Sequence, residues 1–231
     1  MKNIRITQKR IGYSNATLIV NGENSVLVDT GVKRNMKQIR TLFTQVQLKP
    51  SYLKLIILTH THYDHTGNLQ AIHNWTGAKV MVHKEEFENL KNGFTPIPAG
   101  TRKYPEFISR AGRLIVPKFA SPNSFNAEIV TEDEFDLNEF GLDAKVIHTP
   151  GHTKGSQSVL IGKTAITGDA FVNMRNGWIF PPFADEPEVL LQTWQQLFDR
   201  GIEEIYPGHG PKFRVGKAYP QFELWKNKLG N

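Results

Sequence analysis

Apolar residues come in short bursts along this chain, and the spacing within each burst separates strands from helices. Ala16-Thr17-Leu18-Ile19-Val20 and Ser25-Val26-Leu27-Val28 are runs of strand length joined by the turn sequence Asn21-Gly22-Glu23-Asn24, so they predict an antiparallel hairpin. Met36, Ile39, Leu42, Phe43 and Val46 then recur at a helical period behind Asn35, a capping residue, and Pro50 ends the pattern. Leu55-Ile56-Ile57-Leu58 is apolar throughout, as in a strand buried on both faces. Leu69, Ile72 and Trp75 predict a short helix stopped by Gly77, and Lys79-Val80-Met81-Val82 the next strand. Further on, Asp185, Pro187 and Gly201 bracket a helix carrying Leu190, Trp194, Leu197 and Phe198. The alternation predicts a single α/β domain over residues 1–231, without internal repeats.

Residues 91–126 break this rhythm. Pro96, Pro98, Pro105, Pro117 and Pro122, with Gly93, Gly100 and Gly112, forbid an uninterrupted helix or sheet there. Phe94, Tyr104, Phe107, Phe119 and Phe125 add aromatic surface. Six basic residues face one acid, Glu106, so the segment supplies +5 of the chain's net charge of +6. A solvated insertion with its own small core is one reading. A lid beside a functional site is the other, because long irregular loops often carry function. On the second reading Arg102, Lys103, Arg110 and Arg113 are the candidate contacts to an anionic substrate.

Composition changes the picture little. A chain of 231 residues can bury a full core. Cysteine is absent, which removes disulfides, thiolate ligands and a cysteine nucleophile. No segment approaches the ~20 apolar residues of a membrane helix, and the amino end lacks a signal-like apolar stretch, so the expected location is the cytoplasm.

The chemistry concentrates where the apolar run Leu55 to Leu58 opens into Thr59-His60-Thr61-His62-Tyr63-Asp64-His65, four potential metal ligands within six residues. On an irregular loop His60 and His62 can turn towards one ion, while Asp64 and His65 reach a second. Imidazole with carboxylate suits zinc and tolerates iron or manganese. Three later positions repeat the order of strand, turn and ligand: His152 in Thr149-Pro150-Gly151-His152, Asp169 in Thr167-Gly168-Asp169, and His209 in Pro207-Gly208-His209. Asp29 ends an early strand in Val28-Asp29-Thr30-Gly31. The remaining histidines, His73, His83 and His148, read as structural or surface residues.

These five motifs, in this order, resemble the metallo-β-lactamase-fold hydrolase superfamily over nearly the whole chain. The resemblance implies a four-layer αβ/βα sandwich with two mixed β-sheets, and two divalent metal ions, zinc by default. It makes His60, His62 and His152 ligands of the first ion and Asp64, His65 and His209 ligands of the second, with Asp169 bridging. Asp29 would support the ligands by hydrogen bonding. Two ions ~3.5–4 Å apart lower the pKa of a shared water towards ~7, so a bridging hydroxide becomes the nucleophile, oriented by Asp64 and Asp169.

The resulting expectation is a stand-alone hydrolase acting on a small anionic ester, thioester or lactone. Departures from known branches shape it. Asp169 stands where one antibiotic-hydrolysing branch has a cysteine, and Ala170-Phe171-Val172-Asn173 lacks the tyrosine that follows the bridging aspartate in acyl-homoserine lactonases. Too few residues follow His209 for the helical domain of glyoxalase II or the flavodoxin domain of flavodiiron proteins. The alternatives are a metal-dependent phosphodiesterase or nuclease, suggested by the basic and aromatic insertion, a mononuclear-iron persulfide dioxygenase, and a non-enzymatic metal-binding protein. The basic cluster is short and no separate nucleic-acid module accompanies it, so a small molecule is the expected partner.

Overall fold

A computed structural model describes residues 4–95, 97–102, 105–107, 109 and 124–230. Their strands form two six-stranded sheets, each laid out in chain order. The first contains β1 (Arg5–Ile11), β2 (Ser14–Asn21), β3 (Asn24–Val28), β4 (Leu53–Ile57), β5 (Lys79–His83) and β6 (Ile129–Thr131). The second contains β7 (Glu134–Asp136), β8 (Lys145–His148), β9 (Gln157–Ile161), β10 (Thr164–Val172), β11 (Glu204–His209) and β12 (Phe213–Arg214). Both are mixed: β1 to β3 pair antiparallel and β3 to β6 parallel, while β10 and β11 are the parallel pair of the second sheet.

Strand periodicity sorts the side chains into layers. Leu18, Leu27 and Ile56 face helices α1 (Met36–Gln45), α3 (Leu69–Thr76) and α4 (Lys84–Lys91). Their neighbours Ile19, Val26, Val28, Leu55 and Ile57 face the other way, onto Val146, Val159, Ile166 and Tyr206 of the second sheet. That sheet's far side is covered by α5 (Pro187–Asp199) and α6 (Tyr219–Leu229), through Leu190, Trp194, Leu197 and Trp225. The result is helix, sheet, sheet, helix. Each of these buried large side chains contributes ~1.5–3 kcal/mol relative to exposure.

The hairpin, the strand Leu53–Ile57 and the helices around residues 36–45, 69–76 and 187–199 are those expected from the sequence. Local details differ. Asn35 stands at the α1 N-terminus without a side-chain cap, because its amide instead bonds the carbonyls of Val32 and Lys33. Tyr63, Asp64, His65 and Thr66 form a one-turn helix, α2, rather than irregular loop. No helix of the described residues is long and apolar enough to cross a membrane.

Candidate metal centre

The seven ligand candidates meet at one edge of the sandwich. His60 and His62 leave the carboxyl end of β4, Asp64 and His65 sit on α2, and His152 lies between β8 and β9. Asp169 comes from within β10 and His209 is the last residue of β11, so neither lies in a turn after its strand. β10 runs on to Val172 because its register shifts on either side of Gly168, turning Asp169 inwards. Gly168 has φ +50°, and a Cβ there would collide with Thr59. A Cβ on Gly208 would collide with Asp169, so both strands come close only because they carry glycine at these points.

Helix α5 fixes two of these segments. Trp194 Nε1 donates to the carbonyl of Ala170, next to Asp169, at 2.7 Å, and the Thr193 hydroxyl to that of Pro150, near His152, at 2.7 Å. Between the sheets, Gln157 Nε2 donates to Leu58 O at 2.8 Å, and its backbone N–H to Thr59 O at 2.9 Å.

Three groups of side chains place one ligand atom each within 4.8 Å of one another: His60, His62 and His152; His60, His65 and Asp169; and Asp64, His65 and His209. Asp169 reaches into both ends. Its Oδ2 lies 3.7 Å from His152 Nε2 and 3.3 Å from His209 Nε2, while Oδ1 lies 3.4 Å from His65 Nε2. Asp64 Oδ2 is 3.3 Å from His209 Nε2.

The outer hydrogen bonds decide which nitrogen faces inwards. His65 Nδ1 donates to Asp29 Oδ2 at 2.8 Å, His152 Nδ1 to Phe183 O at 2.9 Å, and His209 Nδ1 to Tyr13 O at 2.9 Å. Thr59 gives both its N–H and its hydroxyl to Asp29, at 2.8 Å each, so its oxygen is left to accept from His60 Nδ1 at 3.0 Å. In each of these four rings Nε2 is turned to the centre. Asp29 holds this frame from a left-handed backbone conformation, φ 60°, which aspartate tolerates better than most residues.

What remains inside is short of partners. His60 Nε2, His62 Nε2, His65 Nε2 and Asp169 Oδ1 are buried without a hydrogen bond. Such an atom costs ~1–3 kcal/mol when left unpaired. Those of His60, His65 and Asp169, which form one of the three groups, fit a divalent cation whose bonds would satisfy them, while His62 faces His152 Nε2 with its Nδ1, at 3.1 Å.

Charge divides the centre. Burial pushes the imidazoles of His60 and His62 down, His62 to about 3, reinforced by neighbouring histidines. Burial also opposes charge on His65 and His209, but Asp169, with Asp29 and Asp64, outweighs it. His65 is raised, and His209 reaches about 10. Burial likewise disfavours the Asp64 and Asp169 carboxylates, and His65 and His209 hold them below the usual range.

The other histidines are engaged elsewhere. His73 Nδ1 donates to Ala78 O, and His83 stacks on His148 at 4.1 Å. Of the four basic residues expected to meet substrate, Lys103, Arg110 and Arg113 lie outside the described residues. Arg102 stands over Trp178 at 4.5 Å and Trp225 at 5.3 Å, and is not among the residues lining the cavity at the centre. Among the described residues, the cations of that cavity are Arg10, Arg175 and Lys212, all outside the insertion. Glu86 was also missed by the sequence reading. It is buried on α4 and accepts hydrogen bonds from the Thr61 N–H, at 3.1 Å, and from the Thr61 hydroxyl. Its spacing of four from Leu90, on the buried face of the helix, was the available signal.

The sequence profile of the metallo-beta-lactamase superfamily matches residues 10–209. A probable metallo-hydrolase of Methanocaldococcus jannaschii is 28% identical over 204 residues, covering 86% of this chain and 89% of that protein. The hydroxyacylglutathione hydrolase of Shewanella pealeana is 28% identical over 144 residues, 62% of this chain and 43% of that enzyme. Among solved structures, TTHA1623 in a di-iron-bound form matches with a TM-score of 0.65 at 24% identity, covering 93% of this chain and 96% of that one. This last likeness is one of fold.

Proposed function

Because the chain belongs to the metallo-beta-lactamase superfamily, we propose that it is a dinuclear metal-dependent hydrolase of a small anionic ester, thioester or lactone. His60, His62 and His152 would hold one divalent ion and Asp64, His65 and His209 a second, with Asp169 between them. The observation that carries this reading is the convergence of the His and Asp ligand atoms in three groups, each within 4.8 Å, with His60 Nε2, His65 Nε2 and Asp169 Oδ1 buried and unpartnered. When bound, such ions supply an acidified water and polarise the scissile bond. The chain's own part is to hold the ligands: Asp29 keeps the His65 ring in one tautomer, and Asp64 and Asp169 stay ionised to orient the attacking group. Zinc suits a site of imidazole and carboxylate, and iron is compatible with the same donors. Two relatives point the same way, one being named a probable metallo-hydrolase and the other hydrolysing a thioester by its name.

Metal analysis of the native chain, followed by a screen of esters, thioesters and lactones, tests the reading. About two ions per chain and turnover of at least one of these classes are expected. A single tightly bound iron with oxygen consumption on a persulfide would sink it. Turnover confined to phosphodiesters, with salt-dependent binding of labelled RNA, would replace it with the nuclease reading.

A further inference from the structure

The two ligand clusters stand against different walls of one cavity. Its volume, ~1350 Å³, exceeds the ~300–1,000 Å³ of ordinary small-molecule sites. One wall is tied to the first cluster through His152, whose Nδ1 donates to Phe183 O. Thr101 braces that wall, giving its N–H to Pro182 O at 2.9 Å and its hydroxyl to Pro181 O at 2.7 Å. Ile97, Pro98, Pro181, Pro182 and Phe183 line it, and none is charged.

Another part of the lining is tied to the second cluster. His209 Nδ1 donates to Tyr13 O, Asn15 Nδ2 donates to Pro207 O and Gly210 O, and the Asn173 N–H donates to His209 O. Tyr206 and Met174 lend this side some apolar surface, and among the described residues the cations of the lining are Arg10, Arg175 and Lys212. Arg10 stands across from Asn15 in the β1–β2 pairing, and Arg175 follows Asn173 by two residues. Lys212 is paired with Glu204 at 3.0 Å. Among the described residues neither Arg10 nor Arg175 has a carboxylate partner, and the only acids in the lining are the ligand candidates Asp64 and Asp169. Cations gathered in one part of a cleft focus a positive field there.

We infer that the substrate is bipolar: its scissile ester or thioester bond joins an apolar part, lying against the Phe183 wall, to an anionic part held by Arg10 and Arg175. This rests on the hydrolase reading and narrows it. Water supplies a hydroxyl to the acyl carbon, the carbon–oxygen or carbon–sulfur bond breaks, and the remaining proton goes to the departing atom, so no other co-reactant is needed. Of the cations read as substrate contacts in the insertion, Arg102 stands outside the described lining, and two arginines from elsewhere in the chain take the role proposed for it.

Calorimetry on the zinc-loaded full chain with n-octyl sulfate, octanol and inorganic sulfate tests the cleft without requiring turnover. Octyl sulfate should bind at least about tenfold more tightly than either half alone, on the scale of one such contact set. The pair Arg10→Gln and Arg175→Gln should weaken octyl sulfate about tenfold and leave octanol within about twofold, with metal content unchanged. Phe183→Ser should weaken octyl sulfate and octanol but not inorganic sulfate. Octyl sulfate binding no better than inorganic sulfate, or indifferent to the arginine changes, overturns the inference. The two readings separate cleanly. Bipolar binding without hydrolysis of any ester or thioester removes the hydrolase reading and keeps the cleft, whereas equal turnover of neutral and anionic esters does the reverse.

Discussion

The two ends of the candidate metal centre use the same residue type to opposite effect. At the first, three imidazoles crowd together and burial keeps His60 and His62 neutral, so lone pairs are presented at neutral pH. At the second, His65 and His209 lie within 4 Å of carboxylates and hold protons instead. Burial penalises a charge in both places. What differs is the number of carboxylates near enough to repay it. On the proposed reading, a cation entering the first end would displace no proton, while one entering the second would compete with protons on His209 and His65.

The strongest way to break this contrast is to remove the residue the two ends share. Asp169→Ala should cost at least about 100-fold in activity, the scale of losing one charged group aimed at a reacting centre. At least one ion should be lost, because two like charges would face each other with less screening. Metal content of the purified variant is the check. Retention of both ions would show that Asp169 only lines the cavity.

Acidity probes the contrast directly in the metal-free chain. His62 is depressed to about 3 from an unfolded value near 6.5, so its contribution to stability is lost as pH falls through that interval. His209 is raised to about 10, so its contribution is complete below ~6.5 and lost as pH rises towards 10. Thermal unfolding should therefore peak near pH 6.5 and decline on both sides. Saturating zinc should flatten the alkaline limb, because the ion takes the place of the proton. An alkaline limb as steep with zinc as without it would mean that the second end does not receive the metal.

The sequence made the centre more legible than its surroundings. Candidate ligands cluster in short motifs near strand ends, Asp169 inside its strand being the exception, and a glycine beside Asp169 and another beside His209 mark where backbones must approach. Continuous apolar runs likewise identified the buried strands. The substrate side was less readable. Arg102 sits in a basic, proline-rich stretch that resembles a lid, yet the structure spends it on two indole rings. Arg10 and Arg175 are single charges, 165 positions apart in the sequence. Only the packing of the two sheets brings their segments to one cavity, and local pattern carries no information about that. Glu86 was hidden for a related reason, since a charged residue beside Lys84 and Glu85 carries no local sign of burial.

A smaller effect is expected at Glu86, which supports the first end alone. It grips Thr61 between His60 and His62, and its Cγ lies where a Cβ on Gly155 would be only 2.6 Å away, so it also backs the loop carrying His152. Glu86→Ala should lower affinity for the first ion by ~10–100-fold, the usual range for an outer partner of metal ligands. Glu86→Gln, which keeps an acceptor for Thr61, should restore most of it. Chelator competition resolves the two binding steps, and an equal loss in both would show that Glu86 supports the fold generally and not one end of the site.

The least effect should follow Arg102→Ala. Its guanidinium stacks over Trp178 and Trp225, and Lys228 covers Trp225 at 3.8 Å while donating to Thr101 O. These contacts tie the start of the insertion to α6, behind the wall that meets the first end. A cation over aromatic rings at a partly exposed site contributes ~1 kcal/mol, so the melting temperature should fall modestly. The Michaelis constant for an anionic substrate should not change, since Arg102 does not line the cavity. The paired test is Arg175→Ala, which should raise that constant with little change in melting temperature. Were Arg102→Ala instead to raise the Michaelis constant for an anionic ester more than for a neutral one, the insertion would supply the anion contact after all, and the division of the cleft into an apolar and a cationic wall would have to be redrawn.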